Sequence, residues 1–251
     1  MSRLSGYFFP VGIRRLWKPA FIELKLFVRV WLNFLLPHRL IRYRRLLRKP
    51  SQNLHLGCGS KIFDGWTNVD MNPKGDLTLD LREGLPFRDN SVQLIYSEHM
   101  FEHFYREHDG PFLLKECYRC LKPGGCMRIT VPDAAAFIDY YVGKLDPATA
   151  GIFRAGHSRF HRTRMDVVNS AFRWKHQHFY MYDEETLQKL LEEVGFVDVK
   201  RHGFRQSGLE ELGRLDSDQR NPGTLYMDAC KPVTERPGIV TAESQQKQAT
   251  L

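Results

Sequence analysis

The sequence has 251 residues, 26% charged and 42% hydrophobic, with a formal charge of +8, enough chain for one substantial α/β core with segments left over at both ends. Five cysteines (58, 117, 120, 126, 230), odd in number and scattered, exclude a secretory disulfide framework and point to a reducing, cytoplasmic setting. Residues 1–50 hold twelve Lys and Arg against the single Glu23, whereas the other 201 hold 25 against 28. Basic charge confined to one arm argues against a nucleic-acid partner, which would be met by a basic cleft, and for attachment to something anionic.

The arm holds the first readable element. Ala20–Leu36, bounded by Pro19 and Pro37, is crowded with Phe, Leu, Val, Ile and Trp31. Lys25, Arg29 and Asn33 fall at i, i+4 and i+8, one narrow polar stripe on an apolar helix. A bilayer span takes about 20 mostly apolar residues and each central Lys or Arg costs roughly 3 kcal/mol, so this stretch suits lying flat rather than crossing. Arg39, Arg42, Arg44, Arg45, Arg48 and Lys49 follow, and residues 14–49 read as an interfacial helix with a polybasic patch for an anionic membrane surface. Packing of the helix on the rest of the chain or on a second subunit is the equal alternative. No small-residue cleavage site follows, which argues against a signal peptide. The division expected is a basic amphipathic extension over 1–50, a globular domain over 51–232 with an insertion at 134–182, and a disordered tail over 233–251.

Asn53–Gly59 is a short apolar run ending in Gly57-Cys58-Gly59, the pattern of a buried parallel strand that brings a ligand to a glycine bend. The dinucleotide fingerprint wants a third glycine and an acidic residue about 20 positions on. Here Ser60, Lys61, Ile62 and Phe63 follow, and Thr67-Asn68-Val69 ends in Asp70 only eleven residues after Gly59. That predicts a very short first crossover and a carboxylate at the second strand's tip, able to accept both hydroxyls of a ribose. Asp76–Leu81 alternates as a third strand, Asp89-Asn90-Ser91 reads as a turn and Val92–Ser97 as the fourth strand.

Next comes Ser97-Glu98-His99-Met100-Phe101-Glu102-His103, the densest group of titratable residues in the chain. His99-x-x-Glu102-His103 spells an inverted zinc-peptidase motif. Zinc hydrolysis needs that motif inside a helix, with a third ligand and an open coordination position, so a motif that follows a strand is read here as non-metal. Gly110–Leu121 has helical spacing and ends at Pro123-Gly124-Gly125; Cys117-x-x-Cys120 lies within it and is assigned to packing. Cys126–Val131 is the fifth strand, and Asp133 after it caps a helix from Ala134. The insertion carries Arg154, His157, Arg159, His161, Arg162, Arg164, Arg173, Lys175, His176 and His178. Asp183 caps a helix stopped by Gly195, Phe196–Arg201 and Thr224–Cys230 are the last two strands, and a polar loop joins them.

Taken in order, Leu54-His55-Leu56-Gly57-Cys58-Gly59, Gly65-Trp66-Thr67-Asn68-Val69-Asp70, Leu85-Pro86-Phe87, Ile95-Tyr96-Ser97-Glu98-His99 and Leu121-Lys122-Pro123-Gly124-Gly125 resemble the motif series of class I S-adenosylmethionine-dependent methyltransferases of the type 11-like kind. The resemblance covers about residues 53–231. It implies an α/β, Rossmann-like, doubly wound seven-stranded sheet with an antiparallel last strand, and S-adenosylmethionine as cofactor. It implies that Gly57, Cys58 and Gly59 hold the methionine part by backbone, beside His55 and Ser97, with Asp70 on the ribose and Asp80 and Leu81 on the adenine. His55 departs from the acidic residue that many members carry there. Methyl transfer is then expected at the end of the fourth strand, where for an oxygen acceptor His99 is the first candidate base, Glu98 the second and His103 a supporting residue. Such enzymes commonly build the acceptor pocket from an insertion, and Arg159, Arg162, His176 and His178 point to a small or glycan-type anionic acceptor bearing phosphate or carboxylate. Two alternatives stay open: a binding module that keeps the fold without turnover, and a nicotinamide oxidoreductase, which the missing third glycine disfavours.

Overall fold

The structure is a computed structural model and describes residues 11–48, 52–155, 161–174, 177–218 and 222–233. Strands β1 (Gln52–Leu56), β2 (Thr67–Asp70), β3 (Leu77–Thr78), β4 (Val92–Glu98), β5 (Leu121–Pro132), β6 (Val197–His202) and β7 (Thr224–Cys230) form one sheet in the order β3-β2-β1-β4-β5-β7-β6. β1 to β5 pair in parallel, and β7 runs antiparallel between β5 and β6, the topology the resemblance implies. The strand order reverses between β1 and β4, so their carboxyl ends meet at the switch point where open α/β sheets receive ligands.

The two faces of the sheet are covered differently. On one, α3 (Asp109–Cys120) and α7 (Glu184–Val194) bury Leu113, Leu114, Cys117, Leu187, Leu190 and Leu191 against Leu54, Leu56, Ile95 and Ile129. Each fully buried aliphatic side chain there contributes about 2 kcal/mol. Asp183 caps α7 through the Thr186 amide, and Gly195 ends it at φ 111°. On the other face, Trp66, Leu94, Tyr96 and Leu212 form a smaller cluster under the 203–218 loop, which holds only the short α8 (Glu210–Gly213). The insertion folds as α4 (Ala134–Val142), α5 (Pro147–Ala155) and α6 (Arg164–Arg173) around Phe137, Tyr140, Phe153, Val167 and Ala171.

Three expectations change, and one of two open alternatives for the arm is observed. The arm helix α1 spans Val11–Leu35 and runs through Pro19 instead of starting after it, and α2 (Pro37–Leu47) follows; proline removes one helical donor there without ending the helix. The arm also docks on the domain: Arg29 donates to the Met71 carbonyl, Arg42 pairs with Asp76, Arg82 pairs with Glu23 at 2.8 Å, and Tyr43, Leu46 and Leu47 pack on the main core. The third strand shrinks to Leu77–Thr78, because Asp80 accepts from the Arg82 amide and opens a 3₁₀ turn over Leu81–Glu83. Cys126 and Cys230, 104 residues apart, face each other across β5 and β7 and are joined as a disulfide, a pairing invisible in the spacing and contrary to a wholly reduced set. Among the described residues no helix is long and apolar enough to cross a membrane. The tail from residue 234 lies outside the described residues.

Candidate active site

The glycine bend is tied down by its own backbone. Gly57 and Gly59 take positive φ, 73° and 54°. The Gly57 and Cys58 amides both donate to the Val69 carbonyl, at 2.9 and 3.2 Å, and the Gly59 amide donates to Asp70 Oδ2 at 2.7 Å. Asp70 Oδ1 takes the Asn72 amide at 2.6 Å. These amide donors are spent on the fold, so the backbone that the bend offers a ligand is its carbonyl oxygens and its close approach. A side chain at Gly57 would meet Met100 Cγ at 2.3 Å, so glycine is required where the β4 turn presses on the bend. Each Asp70 oxygen keeps a second lone pair for a hydroxyl.

Two expected cofactor contacts are otherwise engaged. His55 is 1% exposed, stacked on Phe63 at 4.1 Å and bonded to Asn68 at 3.2 Å. Burial lowers its pKa to about 4, against the opposing Asn68 bond. Strand alternation sends Leu54 and Leu56 to the main core and His55 to the opposite face, where it packs as a neutral ring against Phe63 and Tyr96. Asp80 is gripped by Arg82, whose Nε and Nη2 lie 2.7–3.2 Å from its oxygens. Hydrogen bonds to Asp80, then Glu23, raise the pKa of that guanidinium. Leu81 is buried beside it, and Ser97, 2% exposed, has an Oγ with no hydrogen-bond partner among the described residues. The partnerless Ser97 hydroxyl at the end of β4, the spare lone pairs of Asp70 and the glycine approach fit an adenosyl-methionine ligand at the switch point.

At and past the end of β4 the site is made of side chains from distant segments. Glu98 receives the Ser217 amide (2.9 Å) and hydroxyl (2.7 Å), Lys61 Nζ (3.4 Å) and the Tyr96 hydroxyl (3.2 Å). Burial pushes its pKa up, but the Ser217 bonds and Lys61 more than offset this and hold it below the usual glutamate value. So supplied, Glu98 is a poor proton acceptor and an anchor for the 213–218 segment. His99 adopts φ 49° and donates its amide to the Thr130 carbonyl. Its Nε2 lies 2.9 Å from Thr224 Oγ1 and its Nδ1 3.5 Å from Oε1 of the fully buried Glu102. Thr224 in turn lines a cleft of about 570 Å³ between insertion and sheet edge, with Phe153, Arg201, His202 and Tyr226. Asp133 caps α4 through the Ala135 and Ala136 amides and pairs with Arg201 at 2.8 Å.

His103 Nδ1 lies 2.8 Å from the Gln177 carbonyl, and His178 packs edge-on to it at 4.9 Å. Arg162 is exposed on a second, smaller cleft of about 320 Å³ that also exposes Arg154, His161 and Arg164 to its space. Arg159 and His176 lie outside the described residues. Sequence reasoning missed the clamp on the loop-covered face: Arg128, 0% exposed, bonds Asp216 at 2.7 and 2.9 Å and Asp228 at 2.7 Å. The available signal was one arginine within Cys126–Val131, a stretch that carries no other charge.

Residues 54–129 match the family model of a methyltransferase domain. No curated protein matches the chain. Among solved structures, an S-adenosylmethionine-dependent methyltransferase from Archaeoglobus fulgidus is similar at 21% identity and TM-score 0.45, over 79% of this chain and 94% of that one. A possible histamine N-methyltransferase from Thermotoga maritima is similar at 18% identity and TM-score 0.44, over 82% and 97%. Phosphoethanolamine N-methyltransferase 2 of Haemonchus contortus, in complex with S-adenosylmethionine, is similar at 16% identity and TM-score 0.43, over 82% and 56%.

Proposed function

We propose that this chain, which carries a class I S-adenosylmethionine-dependent methyltransferase domain, methylates an oxygen of an anionic acceptor at a membrane surface, with His99 taking the proton. The observation that carries the reading is the position of His99, at the carboxyl end of β4, between buried Glu102 and Thr224 on the rim of the larger cleft. S-adenosylmethionine supplies a methyl group already activated on its sulfonium. The work left to the chain is alignment and proton removal. Asp70 accepts from ribose hydroxyls, Leu81 gives an apolar face to the base, and Ser97 offers its buried hydroxyl. Asp80 serves the adenine only in competition with Arg82. His99 accepts the acceptor's hydroxyl proton, and the Glu102 carboxylate stabilises the imidazolium so formed.

Arg154, Arg162 and Arg164 at one cleft and Arg201 at the other support an acceptor bearing phosphate or carboxylate. Membrane attachment is supported by the outer face of α1, where Phe21, Leu24, Phe27, Val28, Trp31 and Leu35 are exposed, Leu35 at 67%, with exposed Arg44, Arg45 and Arg48 on and just beyond α2. The test is labelled-methyl transfer by the full chain to membrane and nucleotide-linked glycan extracts. Label in an anionic product, falling ~10²-fold or more in His99→Ala, is the expected result. Full turnover by His99→Ala eliminates the base assignment. Calorimetric binding of the cofactor without any labelled product identifies a binding module instead. Unchanged flotation with phosphatidylserine vesicles after deleting residues 1–50 removes the membrane reading.

A further inference from the structure

We propose that Glu102, His103 and His178 form a binding site for one divalent first-row transition-metal ion. One carboxylate oxygen and one ring nitrogen from each of the two histidines lie within 4.8 Å of one another. Glu102 and His103 come from the 3₁₀ turn after β4, and His178 from the end of the insertion, so the site closes only when the two segments meet. They are held together by backbone: the Phe179 and Tyr180 amides donate to the Glu102 carbonyl at 2.9 and 3.3 Å.

The tautomers carry the argument. His178 Nδ1 lies 2.6 Å from the Ala171 carbonyl and His103 Nδ1 2.8 Å from the Gln177 carbonyl. A carbonyl only accepts, so both Nδ1 atoms carry the proton, and in a neutral ring Nε2 is then a lone pair. This is the arrangement in which metal-bound histidines are held, the outer nitrogen donating to a carbonyl and the inner one left as a ligand. His178 Nε2 faces Glu102 Oε1 at 3.7 Å, too long for a hydrogen bond. Two donors each about 2.1 Å from a shared tetrahedral cation would stand about 3.4 Å apart, so this pair needs a shift of only a few tenths of an ångström. Two imidazoles and a buried carboxylate suit Zn²⁺, Co²⁺ or Mn²⁺ better than Ca²⁺ or Mg²⁺. Three protein ligands leave a coordination position for an exogenous oxygen, water or acceptor. His99, whose Nδ1 approaches the same Glu102 oxygen, links the site to the cleft rim.

This set differs from the zinc-peptidase spelling, in which both histidines of His99-x-x-Glu102-His103 would be ligands on one helix. Here the intervening turn is 3₁₀ and His99 precedes it in a left-handed conformation. The proposal does not depend on methyl transfer, because its readout is the metal itself. Chelator-stripped full-length chain is titrated with Co²⁺ and followed by visible absorption and equilibrium dialysis. One equivalent should bind with ligand-field bands. His178→Ala and His103→Ala should each weaken it at least ~10-fold, while His108→Ala, at an exposed histidine paired with Asp109, should not. Thermal unfolding midpoint and cofactor affinity report whether each variant is folded, and Glu102→Gln, nearly isosteric, serves as a further variant. No saturable binding at millimolar Co²⁺, or binding that the His103 and His178 variants leave unchanged, overturns the site.

Discussion

The glycine bend and the side-chain cluster at and past the end of β4 are built by opposite means. From Gly57 to Leu81 the ligand-facing groups sit within one stretch of chain, and backbone amides fix their geometry, as in the Val69 and Asp70 bonds to the bend. At and past the end of β4, Glu98 and Ser217 lie 119 residues apart and His99 and Thr224 lie 125, and these segments are joined mainly by side-chain contacts, with the Ser217 amide on Glu98 and the Phe179 and Tyr180 amides on the Glu102 carbonyl beside them. A site fixed by backbone tolerates changes in neighbouring side chains. One assembled from side chains depends on every clamp that holds its segments in place.

The sharpest way to break the comparison is to cut such a clamp. Arg128→Met leaves Asp216 and Asp228 buried without their cation, and stability in urea should fall by about 3–5 kcal/mol. Its loop would loosen while the glycine bend stays formed. A drop below about 1 kcal/mol would show that the side-chain cluster does not depend on it. Within the bend, Gly57→Ala meets both positive φ and Met100, and should cost about 2–3 kcal/mol along with most cofactor affinity, whereas Gly59→Ala, with open space around it, should cost about 1–2. Equal losses by calorimetry and thermal melts would dismiss the close approach of Met100 as the cause.

The third prediction concerns pH. His55 has a folded-state pKa of about 4 against 6.5 unfolded, because burial disfavours the charged ring. The unfolded chain therefore binds more protons between those values. Stability is full above pH 6.5 and falls as pH drops toward 4, by about 2 kcal/mol between pH 7 and 5. His55→Phe should flatten that part of the urea stability profile; an unaltered slope would mean the ring is not buried as described. The smallest effect expected is from Arg82→Ala, whose pair with Glu23 is largely exposed and worth at most about 1 kcal/mol. Its melting midpoint should hardly move, yet cofactor affinity should change as Asp80 is released.

Legibility in the sequence followed the same division. The short first crossover, Asp70 at its strand tip, the Asp133 and Asp183 caps and the Gly195 stop were written in neighbouring residues, whereas the topology of the sheet followed only from the resemblance. His55 misled because strand alternation, not proximity to the glycines, decides which face a residue takes. Arg128 with its two aspartates and Cys126 with Cys230 could not be read, since each pairing spans 88 or more residues with no local period to mark it. The histidine and glutamate grouping was half legible. His99, Glu102 and His103 were adjacent, but His178 arrives only through the folded insertion.

Arg82 holds one carboxylate from the arm and one from the third strand's end at the same time. A guanidinium shared between two anions makes their occupancies interdependent. A ligand that draws Asp80 away changes the grip on Glu23, and any displacement of the helix bearing Glu23 changes what Asp80 can offer. By reciprocity of linked equilibria the two free-energy changes are equal, so the position of the arm and the occupancy of Asp80 are coupled through one side chain, and the size of that coupling can be measured from either end.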